Sequence, residues 1–156
     1  AWLIGGPASP EVLAQIRSLG LEGQVTILPY APREQLRDHL QSLDLFVIPS
    51  HQEGLCIAAL EAMACGCPVV STRCGGPEEF VIAGETGQLV DFDPAAMAQA
   101  LGAIVQDRAL RDRLGQGARR RIEQHYHQAR AESIFWQAFA ASFPTLTASH
   151  SPLMAI

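Results

Sequence analysis

The chain alternates short apolar runs with longer stretches in which apolar residues recur every three or four positions. These two patterns separate strands from amphipathic helices. Trp2, Leu3 and Ile4 form a run that ends in Gly5-Gly6-Pro7, a strand and its turn. Val12, Leu13, Ile16 and Leu19 follow helical spacing over 10–19, with Ser9 as N-cap, Pro10 at the first helical position and Gly20 closing the helix. A strand over 24–30 precedes a short helix over 32–43, with Leu36, Leu40 and Leu43 on one side. The continuous run Leu45-Phe46-Val47-Ile48 within 43–50 predicts a strand buried on both faces. An apolar helix follows, starting near Leu55 and closed by Gly66. The spacing then predicts a buried strand over 68–72, a break at Gly75-Gly76-Pro77, a short helix over 78–83 and a last strand within 84–90. Three helices complete the pattern. The first, over 95–105, is capped by Asp93 and Pro94; the second, over 107–124, turns Leu110, Leu114 and Ile122 inward; the third, over 128–141, has Ile134, Phe135, Trp136 and Phe139 as its apolar side. The strand–helix alternation predicts an α/β fold: one Rossmann-like domain over 1–142, an open parallel sheet with helices on both faces. The segment 143–156 reads as a frayed, disordered tail.

Composition narrows the partners. Of 156 residues, 48% are hydrophobic and 17% charged, enough for one real core. The net charge of −5 argues against a nucleic-acid partner. Arg119-Arg120-Arg121 reads as a solvated helix face, with contact to an anionic surface as the alternative. Membrane association is not indicated, since no run approaches the ~20 apolar residues of a spanning helix, and a cytoplasmic location is expected. Cys56, Cys65, Cys67 and Cys74 form no C-x-x-C pair and have no histidine at ligand spacing, so reduced thiols and no metal are expected. Ala1 leads directly into an apolar segment, as in a piece of a longer protein or a processed one.

Ligands of open parallel sheets bind beyond the carboxyl ends of the strands. Two strand-to-helix loops lie there, from Ser50 to Cys56 and from Thr72 to Gly76. The free N–H groups near Leu55 suit a phosphate, and Gly54 permits close approach to the backbone. Glu53 precedes that point, and Glu61 lies about 8–10 Å further along the helix. A carboxylate only accepts hydrogen bonds, so its natural partner is a pair of neighbouring hydroxyls. The order carboxylate, phosphate site, carboxylate matches hexose, diphosphate and ribose. Each glutamate alone would be a solvated surface charge. Arg73 suits a phosphate or the bare surface, and His51 a ligand contact or a plain loop position. No Walker loop or serine nucleophile elbow is present.

The string PSHQEGLCIAALEAMACGCPVVSTRCGGPEEFVIAGETGQLV resembles the donor-binding half of the retaining glycosyltransferases of family four, glycosyl transferases group 1, which have the two-domain GT-B fold. It shows the family's glutamate pair at Glu53 and Glu61, separated by seven residues. The run from Glu61 to Val70, the turn Gly75-Gly76 with Glu79, and the strand Gly87 to Val90 follow in order. The resemblance extends from Ala1 to about Phe139. It implies that Glu53 is the catalytic-site glutamate and contacts the donor hexose, and that Glu61 holds the ribose. Backbone at Gly54, Leu55, Cys56 and Ile57 would face the diphosphate and sugar, and the loop with Ala31 and Arg33 would lie near the base. Arg73, Gly75, Gly76 and Glu79 would form a phosphate or structural loop.

The family transfers a sugar from a nucleotide-diphosphate sugar with retention and generally without metal, so no cofactor is expected. The chain departs from the family in having Leu55-Cys56 where Phe-Gly is usual. A phosphate-binding Arg and Lys and the N-terminal acceptor-binding domain are missing, so the chain alone is expected to be inactive. A non-catalytic nucleotide-sugar-binding module is the alternative. A phosphorylase or hydrolase using the same carboxylates ranks last, because its two carboxyls would flank one bond across a cleft.

Overall fold

A computed structural model of the chain describes residues 1–144. Residues 145–156, most of the expected tail, lie outside the described residues. The chain divides into two compact units, one of Ala1–Leu43 and one from Asp44 onward.

The first unit joins two parallel strands through a helix. β1 (Trp2–Ile4) and β2 (Thr26–Leu28) pair in register, Trp2 opposite Thr26 and Ile4 opposite Leu28. α1 (Pro10–Ser18) begins as its sequence dictates: Ser9 Oγ accepts from the Val12 N–H at 3.4 Å and Pro10 opens the first turn. Gly20, at φ +66°, takes the left-handed conformation just past the helix end. α2 (Arg33–Gln41) starts one residue later than expected, because Pro32 keeps an extended ψ of 154°.

The second unit is a parallel sheet of β3 (Phe46–Ile48), β4 (Val69–Thr72) and β5 (Gly87–Val90), with β4 in the centre. Its helices are α3 (Ile57–Ala64), α4 (Pro94–Gln106), α5 (Arg108–His125) and α6 (Gln128–Ser142). All four residues of β4 are buried. Alternation along the strand sends Val69 to one core, with Ala59 and Met63 of α3, Ala118 of α5 and Phe80. Val70 goes to the opposite core, with Met97 and Ile104 of α4 and Leu114 of α5. Helices thus cover both faces, and each such aliphatic side chain contributes about 1.5–3 kcal/mol on burial.

Two expectations are corrected. β3 is not buried on both faces: Val47 is 37% exposed. As an edge strand it is sheltered on the side of Phe46 and Ile48, while the core on the other face reaches Leu45 but not Val47. No α-helix forms over 78–83. A 3-10 turn, Gly76–Glu79, stands there instead. Thr86 Oγ1 accepts from the Ile82 N–H at 2.8 Å and donates to the Phe80 carbonyl at 3.1 Å, so a side chain takes up backbone groups that a helix would pair internally. The apolar side of α6 follows helical spacing, yet Ile134, Phe135 and Trp136 remain more than half exposed, and α6 has no buried residue.

α5 ties the unit together at close range. A Cβ on Gly115 would collide with the Gly66 carbonyl, and one on Gly117 with the Glu85 carbonyl. The arginine cluster is largely structural. Arg119 bonds the Ala64 carbonyl at the end of α3 as well as Glu123, and Arg121 donates to the Glu79 carbonyl at 3.0 Å. Arg111 likewise donates to the Val105 carbonyl at the end of α4, at 2.8 Å.

Gly115→Ala is expected to destabilise the chain by about 1–3 kcal/mol through overpacking. Gly102→Ala, in α4 with open space at Cβ, is expected to stabilise it by about 0.5–1 kcal/mol. Urea unfolding of the two variants reads the opposite signs.

Burial pushes the Cys67 thiol up to about 12 from its ordinary 9.0, with the charges of Cys65 and Asp44 adding to the effect. The unfolded chain therefore releases this proton first as pH rises. The stability linked to Cys67 is intact below pH 9 and is lost progressively between about pH 9 and 12. Between pH 8 and 10.5 the parent is expected to lose about 2 kcal/mol more than Cys67→Ala does, read by urea unfolding at both pH values.

Candidate functional site

The carboxyl ends of β3 and β4 run into two loops that pair with each other. Glu53 and Gly75 form a parallel bridge outside the sheet. The Glu53 N–H donates to the Cys74 carbonyl at 2.7 Å, and the Gly76 N–H donates to the Glu53 carbonyl at 3.0 Å. The two glycines explain the contact. A Cβ on Gly75 would stand 2.9 Å from the Glu53 carbonyl oxygen, and Gly75 has φ +101°. A Cβ on Gly76 would overlap the Gly54 carbonyl outright. The Gly-Gly pair therefore lets the second loop lie directly against the loop that carries Glu53.

Glu78 secures the Gly-Gly turn. Its Oε1 accepts from the Gly75 N–H at 3.1 Å. Arg73 stands between two carboxylates, 3.9 Å from Glu78 and 3.5 Å from Asp91, on an exposed surface. Glu79, the acidic residue singled out in the sequence, contributes its backbone carbonyl to Arg121, and its side chain is exposed. The position of Glu78 three residues after Gly75 is the capping signal that marks it.

α3 begins at Ile57 rather than near Leu55, because Cys56 adopts a left-handed conformation, φ 56° and ψ 68°. Among the described residues Cys56 is the non-glycine residue with positive φ. The backbone thus keeps the shape that glycine adopts freely, with cysteine in its place. Burial pushes the Cys56 thiol up, and the nearby Glu53 adds to this. Cys56 supplies no side-chain cap, so the leading amides of α3 are left for an outside acceptor. Leu55 and Ile57 are exposed beside them, at 46% and 64%.

The two glutamates differ in what holds them. Glu53 is half-buried, and its Oε1 accepts a 2.7 Å hydrogen bond from Ser50 Oγ. Glu61 sits one turn into α3, about 6 Å from its start by helical rise. It is half-buried on a helix that is otherwise apolar, and its carboxylate makes no hydrogen bond or ion pair among the described residues. His51 stacks on Phe92, ring centroids 3.6 Å apart, at the mouth of the same loops.

The structure therefore brings Glu53, Gly54, Gly75 and Gly76 into direct contact, with Leu55, Cys56, Ile57 and Glu61 following on one segment. Ala31, buried, and Arg33, exposed at the start of α2, belong to the first unit. Sequence reasoning did not single out Glu78 or Phe92, and it named Ser50 and Thr72 only as the first residues of the two loops. Ser50 and Thr72 had no signal beyond lying at strand ends. Among the described residues, no group of three or more His, Cys, Asp and Glu could hold a metal ion, and no helix is long and apolar enough to cross a membrane.

Comparison with known proteins identifies the family. Residues 2–121 match the family model described as glycosyl transferases group 1. The chain is 37% identical over 145 residues to a D-inositol 3-phosphate glycosyltransferase of Streptosporangium roseum, covering 88% of the chain and 31% of that protein. Sucrose-phosphate synthase of Thermosynechococcus elongatus superposes with a TM-score of 0.80 at 30% identity, covering 90% of this chain and 38% of that one. Anabaena Alr3699/HepE in complex with UDP-glucose superposes with a TM-score of 0.75 at 26% identity, covering 86% and 40%. The chain spans about a third of the length of the curated relatives it matches. With the family model covering most of its length, the chain belongs to the glycosyl transferases group 1 family, as part of its C-terminal, Rossmann-like domain in the GT-B fold.

Proposed function

We propose that this chain binds a nucleotide-diphosphate sugar as the donor half of a metal-independent glycosyltransferase that transfers a hexosyl unit with retention. The observation that carries the reading is the pair of half-buried carboxylates on either side of an uncapped helix start. The Glu61 carboxylate has no partner among the described residues and sits where two ribose hydroxyls would donate to it. The amides from Leu55 to Ile57 take the diphosphate, helped by the positive end of the α3 dipole. Glu53 faces the hexose at the reacting end and is the residue assigned to the catalytic site. In this reading the rest of the enzyme supplies an N-terminal acceptor-binding domain. A relative that holds UDP-glucose supports the ligand class.

A half-buried carboxylate with no protein partner carries a desolvation cost that the ligand's hydroxyls offset, each charge-assisted contact contributing about 1.5–3 kcal/mol. Titration of the chain with UDP, GDP, ADP and their glucose conjugates is expected to show one preferred base. Glu61→Ala is expected to weaken that nucleotide by about ten- to hundredfold. Glu53→Ala is expected to weaken the glucose conjugate and leave the free diphosphate within about twofold. Parent-like affinity of Glu61→Ala for every nucleotide overturns the assignment.

A further inference from the structure

The backbone and the carboxylate of Glu53 are held by different residues. The main chain is pinned on the β4 side, by the Cys74 carbonyl at 2.7 Å and the Gly76 N–H at 3.0 Å. That leaves the three side-chain torsions of a glutamate free. Among the described residues, the group that bonds the carboxylate is Ser50 Oγ, 2.7 Å from Oε1. Ser50 lies three residues upstream, just past the end of β3.

Ser50 is itself anchored. Thr72 Oγ1 reaches the Ser50 carbonyl at 2.5 Å and the Ile48 carbonyl at 3.3 Å, beyond the last β3–β4 pair, Ile48 with Ser71. Thr72 is 3% exposed at the end of the central strand, so its hydroxyl is fixed by the core. A connected path thus runs from β4 through Thr72 and Ser50 to one oxygen of Glu53. The other oxygen, Oε2, makes no bond among the described residues.

We propose that Ser50 is a positioning residue that sets the orientation of the Glu53 carboxylate and presents Oε2 to a hydroxyl of the donor sugar, with Thr72 holding Ser50 in place. This rests on the donor-site reading above and adds the residues that decide how strongly the site separates a sugar conjugate from the bare nucleoside diphosphate. With Ser50 removed, the carboxylate samples rotamers that face solvent, and the entropy of ordering it falls on the ligand. Ser50 makes no claim on the phosphates or the ribose, so its effect is confined to the sugar.

The test compares UDP with UDP-glucose, GDP with GDP-glucose and ADP with ADP-glucose by calorimetry, on the parent, Ser50→Ala, Ser50→Thr, Thr72→Val and Glu53→Ala. Ser50→Ala is expected to weaken the glucose conjugate about five- to tenfold, while the free diphosphate changes by less than about twofold. Ser50→Thr keeps the hydroxyl and is expected to restore the parent's preference. Thr72→Val is expected to shift the preference in the same direction as Ser50→Ala. Two results overturn the inference while leaving the donor reading standing. One is a Ser50→Ala variant that keeps the parent's preference where Glu53→Ala loses it. The other is equal weakening of both ligands with a fall in Tm, the mark of a purely structural serine. A Glu53→Ala variant that treats both ligands as the parent does removes the donor reading, and this inference with it.

Discussion

The contact on which the site depends is between two backbones. Gly76 lies so close to the Gly54 carbonyl that a single added carbon would overlap it. Because of that approach, the loops after β3 and β4 continue as a parallel bridge past the end of the sheet, through Glu53 and Gly75. A loop extended this way is held by main-chain hydrogen bonds as well as by the packing of Cys56 and Cys74 on the core. It therefore stands rigid at a surface where ligands arrive, the arrangement in which polar groups are best preorganised. Side chains placed on it inherit that order: Ser50 and Glu53 are three residues apart, and their bond closes a ring within the loop.

Support for these loops comes from behind. α5 runs against the end of α3 and the turn before β5, with Gly115 and Gly117 removing the side chains that would hold it away. From the same helix, Arg119 reaches the last turn of α3 and Arg121 reaches the Gly-Gly turn at Glu79. One helix thus grips both the element that carries Glu61 and the turn that packs on Glu53. Charge on α5 serves this purpose more than it serves any anionic partner. Arg73 has a comparable setting, with Glu78 and Asp91 nearby to balance it.

Glu61 stands apart from Arg119, Arg121 and Arg73, each of which has a protein partner. Five of the eight residues of α3 are alanine or methionine, three of the eight being fully buried, and a carboxylate among them gains nothing from the protein's interior. Cys56 shows the same local tension in the backbone, because a left-handed residue is ordinarily glycine. Departures from local preference concentrate at functional sites, and here both lie within six residues of the helix start.

Much of this was legible in the sequence. Short continuous apolar runs, period-three-to-four patterns, Ser9, Asp93 and the prolines beside them, and the glycines closing helices placed most elements within a few residues. Those signals are local, and the backbone responds to them locally. The spacing of Glu53 and Glu61 and the Gly75-Gly76 pair drew attention to the two loops that the structure shows paired through Glu53 and Gly75. What the tertiary structure alone decided depends on neighbours distant in sequence. Val47 is exposed because the core across the sheet stops at Leu45. Residues 78–83 form no α-helix because Thr86 takes the Phe80 carbonyl and the Ile82 N–H. Arg119 and Arg121 are structural because α5 passes two carbonyls that need donors. Ser50 and Thr72 matter because two strands end side by side, 22 residues apart along the chain. No periodicity records such a meeting, since it is set by how the strands pair and not by either segment's own sequence.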